Sequence, residues 1–468
     1  MKSSLFLLAV PFLVGTTALV QAADPVQAVY AVDDAHPLFS LTGTVGGVAM
    51  DLPDGGGLFL GEGANDPNDW LLGGTVGLNA AVGTGEVLGG LQGFIGLNLF
   101  GTYAYGDFNK TSNFTGNGIV VVQGGAGPFQ SDITIGTSST ATNGSADLTS
   151  IHNNGQGGSE SFTAHAETDI GPGAQDVPYT SNGGAGDSFQ WGGLQTRVNG
   201  AGGSATAYAA LADEYGGVFI ASGNLDGLNL TQSYKTEALY LGGDVTFGLS
   251  GQNGTTTLQG YVGPSYRYLA QRNTTTSDLF VDVPEYVGAA DFPYFSMSTT
   301  DTYSSHYMGG IAGLQATIPT SATTAITLGV EGGAYYTMAS VTSDGNYQVW
   351  GGDLVSGGSI PDVAPAPGAV APLEVVADGV TYEADTIAFA ARGTVAYTMA
   401  IAQNAQLTFS GSADYLSAVA QTAVNTTLNS YDDDDIGGVH YQSGGTNDRI
   451  SWGQMLNLSG SVSLTGQF

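Results

Sequence analysis

Two arginines mark where chemistry could sit in this chain. Lys and Arg together number 8 against 41 Asp and Glu, a formal net charge of −33, so a cation inside a patterned segment is informative. Arg392 alternates with Phe389, Ala391, Gly393, Val395 and Tyr397 in the segment Thr386–Ile401. Successive side chains on a β-strand point to opposite faces, so Arg392 lies on the face away from those residues. Asp414 takes the polar face of the next segment, Ala405–Leu416, and a turn of three residues around Gln403-Asn404 would bring 392 and 414 opposite one another. Glu331 holds the polar face of Thr323–Tyr336, at a similar distance from its own turn. Glu331, Arg392 and Asp414 are therefore expected to cluster. Asp244 and Arg267 share the polar face on two neighbouring strands, offset in height. Enclosed charges of this kind usually pair and hold strands together, because an unpaired one is costly. The functional alternative is a constriction whose charges select solutes.

Other constellations are weaker. Asp432–Asp435 is a run of four acids, which reads as a solvated loop; it lacks the ligand spacing and central Gly of a calcium loop. Gly183-Gly184-Ala185-Gly186-Asp187 occurs once, whereas calcium-binding repeats come in several copies. No Gly-x-Ser-x-Gly elbow and no metal-spaced histidine pair occur among His36, His152, His165, His306 and His440. We expect neither catalysis nor a metal or other cofactor. Cysteine is absent, so there is no thiol chemistry and no disulfide. So few cations exclude nucleic acid as a partner, since phosphate binding needs clustered Lys and Arg.

The elements that must position these charges are strands. From Ile450 to Phe468, seven of the ten even positions are bulky and apolar (Ile450, Trp452, Leu456, Leu458, Val462, Leu464, Phe468), while the odd ones are mostly Ser, Thr and Asn. Similar alternation marks Leu38–Met50, Trp70–Ala81, Val87–Tyr105, Lys235–Leu249, Thr255–Tyr268, Tyr303–Ile318, Thr323–Tyr336, Thr386–Ile401 and Ala405–Leu416. The ten strands are joined alternately by short and long connections. The short ones are Gly83-Thr84-Gly85-Glu86, Gly251-Gln252-Asn253-Gly254, Pro319-Thr320-Ser321 and Gln403-Asn404. The long ones are 51–69, 106–234, 269–302, 337–385 and 417–448. A greasy outside, a polar inside, short turns at one end and long loops at the other fit an antiparallel up-and-down barrel crossing an outer membrane. The segment 106–234 reads as a long external loop or insertion; a hidden hairpin at Ser188–Val198 and Ser204–Leu211 would raise the count to twelve. Residues 1–22 read as a signal peptide. Lys2 is followed by the apolar stretch Leu5–Leu19 and by Val20-Gln21-Ala22 as a cleavage signal. Residues 23–468 form the barrel protein.

The leader Met1–Ala22, the even–odd pattern of Ile450–Phe468 and the terminal Phe468 resemble those of bacterial outer-membrane β-barrel proteins as a class. The resemblance implies that the closing strand, with Trp452, Leu464 and Phe468, is an insertion signal read by the barrel-assembly machinery, and that lipid is a partner. Barrel proteases of that class use Asp and His at the outer rim. Here His306 follows Asp301 near the outer end of a strand, and a lone rim histidine is more often simply exposed.

Three functions remain open. A porin-like barrel would pass small hydrophilic solutes, with a bias to cations from the acidic excess. A non-transport surface barrel would act as adhesin, receptor or structural shield through its long acidic loops. A secreted soluble β-protein is the third, and the apolar outer faces weigh against it.

Overall fold

A computed structural model describes residues 39–53, 57–61, 70–124, 130–139, 144–153, 159–168, 173–181, 189–199, 202–213, 216–281, 295–349, 373–422, 426–433, 436–443 and 450–468. The expected signal peptide and its cleavage site fall outside them. The described residues form strands β1 (Phe39–Asp51), β2 (Gly57–Gly61), β3 (Leu71–Leu88), β4 (Leu91–Asn113), β5 (Asn117–Gly124), β6 (Gln130–Ser139) and β7 (Gly144–Asn153). Next come β8 (Ser159–Thr168), β9 (Gly173–Ser181), β10 (Phe189–Asn199), β11 (Gly202–Asp213), β12 (Gly216–Asn224), β13 (Leu228–Asn253) and β14 (Thr256–Val281). The last are β15 (Phe295–Pro319), β16 (Thr324–Val349), β17 (Leu373–Ala402), β18 (Ala405–Thr422), β19 (Thr426–Asp433), β20 (Ile436–Ser443) and β21 (Ile450–Gln467).

Ten of them close into one antiparallel barrel in the order β1-β21-β18-β17-β16-β15-β14-β13-β4-β3. The last strand pairs with the first from Ser40↔Gln467 to Asp51↔Leu456. Phe39 and Phe468 exchange backbone hydrogen bonds of 3.2 and 2.9 Å at that seam, which places both ends of the wall beside the short turns. The turn between β3 and β4 lies at Gly89-Gly90, three residues past the end of the expected Gly83–Glu86 connection. Both glycines have positive φ, 55° and 85°, as a tight hairpin needs. The Gly83–Glu86 stretch instead makes two register shifts inside the ladder.

The wall has an apolar exterior. Leu97, Leu99, Val245, Phe247, Val262, Leu314, Leu328, Val330, Phe389, Val395, Phe409 and Leu464 are all exposed. The face toward the lumen is lined by hydroxyls that bond in pairs across strands. Thr42 and Thr465 are 2.8 Å apart, Thr44 and Ser463 2.6 Å, Thr75 and Thr102 2.8 Å, and Thr398 and Thr408 3.0 Å. Each such pair adds cross-strand stabilisation of roughly 0.2–1 kcal/mol. In β21 the alternation holds from Gln454 to Phe468. Above that, Ile450 is buried and Trp452 packs against interior clusters, not on the outer face.

The wall strands outrun the membrane. A tilted crossing needs about 9–11 residues, yet β13 to β16 run 25 or 26 each. On β15 the outer face reads Ile318, Leu314 and Met308 below but Ser304, Thr302, Thr300, Ser298 and Ser296 above, while the inner face becomes apolar at Met297 and Phe295. The apolar side has changed faces. The supposed loops 106–234, 269–302 and 337–385 are therefore partly wall, for a reason the outward-apolar criterion could not detect. The tall strands β4, β13, β14, β15, β16 and β17 make a half-shell above the membrane belt.

A two-layer cap sits in this shell. One sheet runs β2-β5-β12-β11-β10-β9, the other β19-β20-β6-β7-β8. Val121, Ala207, Ala209, Leu211, Val218 and Ile220 from the first meet Ile133, Ile135, Ala146, Leu148, Val439 and Tyr441 from the second. The opposite face of the first sheet (Val120, Val122, Phe219, Ala221) packs on Leu228, Leu230, Leu279, Phe295, Met297 and Tyr347 of the wall. A sheet covered on both faces needs continuous apolar runs, which is what Val120-Val121-Val122 and Val218-Phe219-Ile220-Ala221 supply. The expected hairpin near 188–211 exists as β10 and β11, but it belongs to the cap, so the barrel has ten strands and not twelve.

Close backbone approach makes one glycine a direct test of the wall. A Cβ on Gly263 would collide with the Val245 carbonyl oxygen, whereas one on Gly393 would meet nothing within 4 Å. Gly263→Val should abolish the heat-resistant folded band on a semi-native gel, and Gly393→Ala should retain it.

Candidate lumen constriction

Strand alternation sends Asp244, Arg267, Glu331, Arg392 and Asp414 inward from five of the six adjacent wall strands β13 to β18, all but β15. Direct register pairs Glu331 with Arg392 and Arg392 with Asp414. Arg392 also donates from Nε to Asp414 in a short ion pair. Arg267 grips Asp244 with both prongs, Nη1 to Oδ1 at 2.7 Å and Nη2 to Oδ2 at 3.2 Å. Asn98 Nδ2 donates to the same carboxylate at 3.1 Å. The offset expected between the Asp244–Arg267 pair and the other three is bridged: Arg267 Nη2 lies 4.0 Å from Glu331 Oε1, and the Tyr261 hydroxyl donates to Glu331 Oε2 at 2.8 Å. The five side chains form one network, in which three carboxylates face two guanidinium groups.

Sequence reasoning missed Phe100. Its ring lies 4.6 Å from the Arg267 guanidinium carbon and 5.8 Å from that of Arg392. Arg392 stands on the strand opposite in the ring, so the lumen is crossed by a cation–π contact. Tyr240 stacks on Phe100 with 5.3 Å between centroids, and Tyr335 bonds to Ser265 at 2.9 Å. The signal was present as inward aromatics, but alternation assigns a face and not a height. One cavity at this level, of about 20 Å³, is bordered by Tyr240, Arg267, Glu331, Arg392, Asp414 and Met455. A buried water needs about 10–15 Å³ on such a measure, so one water fits and a hydrated solute does not.

The remaining candidates separate. Leu464 and Phe468 are exposed on the outer wall; Trp452 lies at the other end of β21, packed inward. Asp301 and His306 point to opposite faces. His306 Nδ1 meets the Tyr266 hydroxyl at 2.8 Å on the outside, while Asp301 is 1% exposed within. Neither can assist the other in catalysis. His440 pairs with Asp132 at 2.6 Å in the cap. His36 and Asp434–Asp435 lie outside the described residues. Among the described residues no three His, Cys, Asp or Glu gather as a metal site.

A closed antiparallel barrel with an apolar belt and a polar lumen is the architecture of an outer-membrane β-barrel protein. No family model and no curated protein matches the chain. Solved structures that align with it include OmpT, an outer membrane protein of Vibrio cholerae, at 8% identity over 94% of this chain and 100% of that one, with a TM-score of 0.15. A Pseudomonas aeruginosa FadL homologue aligns at 8% identity over 92% and 90%, with a TM-score of 0.19. An anion-selective porin from Comamonas acidovorans aligns at 12% over 92% and 98%, with a TM-score of 0.16. Superpositions at these scores carry no argument, and the class rests on the pairing and faces described above.

Breaking the Arg267–Asp244 pair leaves one buried charge alone. Arg267→Met should destabilise the barrel by roughly 3–5 kcal/mol. The double variant Arg267→Met/Asp244→Leu should recover most of that loss, measured by urea unfolding in lipid vesicles. Asp301 offers a second test, above the membrane belt. Burial pushes its carboxyl up to about 6 from 3.8, against hydrogen bonds from Ser343, Thr422 and Tyr303 that favour the anion. The folded state therefore holds this proton more tightly than the unfolded one. Stability should fall as pH rises from about 4 to 6 and level off above, by roughly 3 kcal/mol. Asp301→Asn should remove that slope from the unfolding midpoint.

Proposed function

We propose that this protein is a bacterial outer-membrane anchor that presents a folded β-sandwich at the outer surface, with a barrel closed at rest. Seating of the cap's inner sheet in the mouth of the barrel carries this reading: Phe219 and Phe295 stack at 5.7 Å between centroids within one buried apolar cluster. A cap tethered as a loose loop would not share a core with the wall. The crossed lumen beneath supports closure independently. A standing porin-like path for hydrophilic solutes, with its cation bias, gains no support from guanidinium groups and a ring that meet across the lumen. An adhesin, receptor or structural shield uses the cap instead. The outer face of its five-stranded sheet offers Asp132, Thr134, Thr149, His440 and Gln442, all polar and partly or fully exposed. Lipid around the belt and the assembly machinery at the closing strand, with Leu464 and Phe468 outward, are the partners this reading includes.

Two measurements test it together. In a planar bilayer the purified protein should give no steady conductance, and on intact cells an antibody against the cap should bind. Constant conductance steps of the native protein, or a cap reachable only after permeabilisation, would refute the proposal.

A further inference from the structure

The barrel wall carries a break. β17 pairs with β18 from Ala402↔Ala405 up to Ala390↔Leu416 and no further. Yet β17 continues along β16 to Leu373, and β18 continues along β21 to Thr422↔Ile450. The divergence starts where β18 has two residues, Ser417 and Ala418, against Gln454 alone on β21. Such a bulge bends a strand. Beyond it Ala418, Val419 and Ala420 are all buried, without alternation, and Ile450 with them. The tip of the β18–β21 pair lies across the lumen beneath the cap. It packs there on Tyr303, Ala339 and Val341 of β15 and β16 and on Tyr382 and Ala384 of β17. Two tyrosines of β15, three places away in the ring, hold it. Tyr303 and Thr422 hydroxyls are 2.7 Å apart, and the Tyr307 hydroxyl donates to the Ala418 carbonyl at 2.9 Å.

The edge that β18 leaves behind suits its return. Phe389 donates its backbone N–H to the Ser417 hydroxyl at 2.8 Å, so a side chain replaces the first missing rung. Extending the observed register would set Val419 beside Ile387 and Gln421 beside Asp385. Ile387 is an exposed apolar residue at the upper belt and Asp385 a polar one above it, so both matches are compatible. The tucked form also leaves polar groups unsatisfied near the tip: Gln271 Nε2, Asn273 Oδ1 and Asp301 Oδ1 are buried without hydrogen-bond partners. Buried polar atoms in native proteins are seldom left so. Withdrawing the tip would let water reach them, against the loss of apolar burial by Val419, Ala420 and Ile450.

We propose that the β18–β21 tip is a two-state gate strand, latched across the lumen by Tyr303 and Tyr307, which on release zips onto the edge of β17 that β18 leaves at Ala390 and opens a polar chamber under the cap. The proposal builds on the closed resting lumen, and bilayer closure and cap display test that reading separately. The chain has no cysteine, so a single introduced thiol reports alone. Val419→Cys should resist a membrane-impermeant maleimide in the otherwise native protein. It should react at least tenfold faster when Tyr303→Phe and Tyr307→Phe remove the latch. Ile220→Cys, in the core of the cap, should stay protected in both backgrounds. A second pair, Ile387→Cys with Val419→Cys, should form a disulfide faster in the unlatched background, because those side chains otherwise lie on opposite sides of the wall. Unchanged Val419→Cys reactivity and no faster crosslinking, with Ile220→Cys still protected, would overturn the gate. Loss of Ile220→Cys protection in the double variant would move both readings to Tyr303→Phe alone, to which the same two outcomes apply.

Discussion

The exchange of the apolar side from the outer to the inner face of the wall governs this molecule. Within the belt, Leu, Val, Ile and Phe face out and hydroxyls face in. Lipid accepts the former, and the latter bond to one another across strands, as Thr42 does with Thr465 and Thr398 with Thr408. Above the belt the surroundings are water, so the same strands reverse. Ser and Thr face out, and Leu228, Leu279, Phe295 and Met297 face in. An apolar inner surface exposed to water would be costly, and the cap's inner sheet covers it. Seating of the cap follows from the reversal and needs no separate device.

The lumen beneath is shaped by a second constraint. A ten-stranded barrel is only slightly wider than an eight-stranded one, whose interior side chains fill. Two arginines, three carboxylates and the ring of Phe100 occupy that width. Each charge has a partner across one or two strands, and this geometry fits cohesion of opposite walls better than solute selection. Pairing of this sort specifies register more than it adds stability. It explains why rare cations sit at these positions in a chain so acidic.

Much of this was legible in the sequence. Period-two alternation located all ten wall strands, because burial on one face only writes a clean pattern. The Arg392–Asp414 contact followed from counting back across a three-residue turn, which the structure realises as a two-residue turn with a register shift at Ala400/Ala402, and Glu331 followed from its similar distance to its own turn. Three things were not legible. The upper wall carries a reversed pattern that looks like polar loop to a search for greasy exteriors. Cap strands such as β12 are buried on both faces and show no period at all. Heights of inward groups across non-adjacent strands, as for Phe100 and Arg392, depend on barrel tilt, which no single strand encodes. Trp452 shows the limit of alternation: a bulge on the neighbouring strand shifts the local geometry, and the parity that holds from Gln454 to Phe468 fails above it.

The reversal can be measured along one strand. Single cysteines at the outward positions Ile318, Leu314, Met308, Ser304 and Thr300 of β15 would carry nitroxide labels in vesicles. The account predicts high oxygen and low nickel-chelate accessibility for the first three and the opposite for the last two, with the crossover between Met308 and Ser304. Labels at Leu314 and Thr300 that behave alike, both in lipid or both in water, would contradict it.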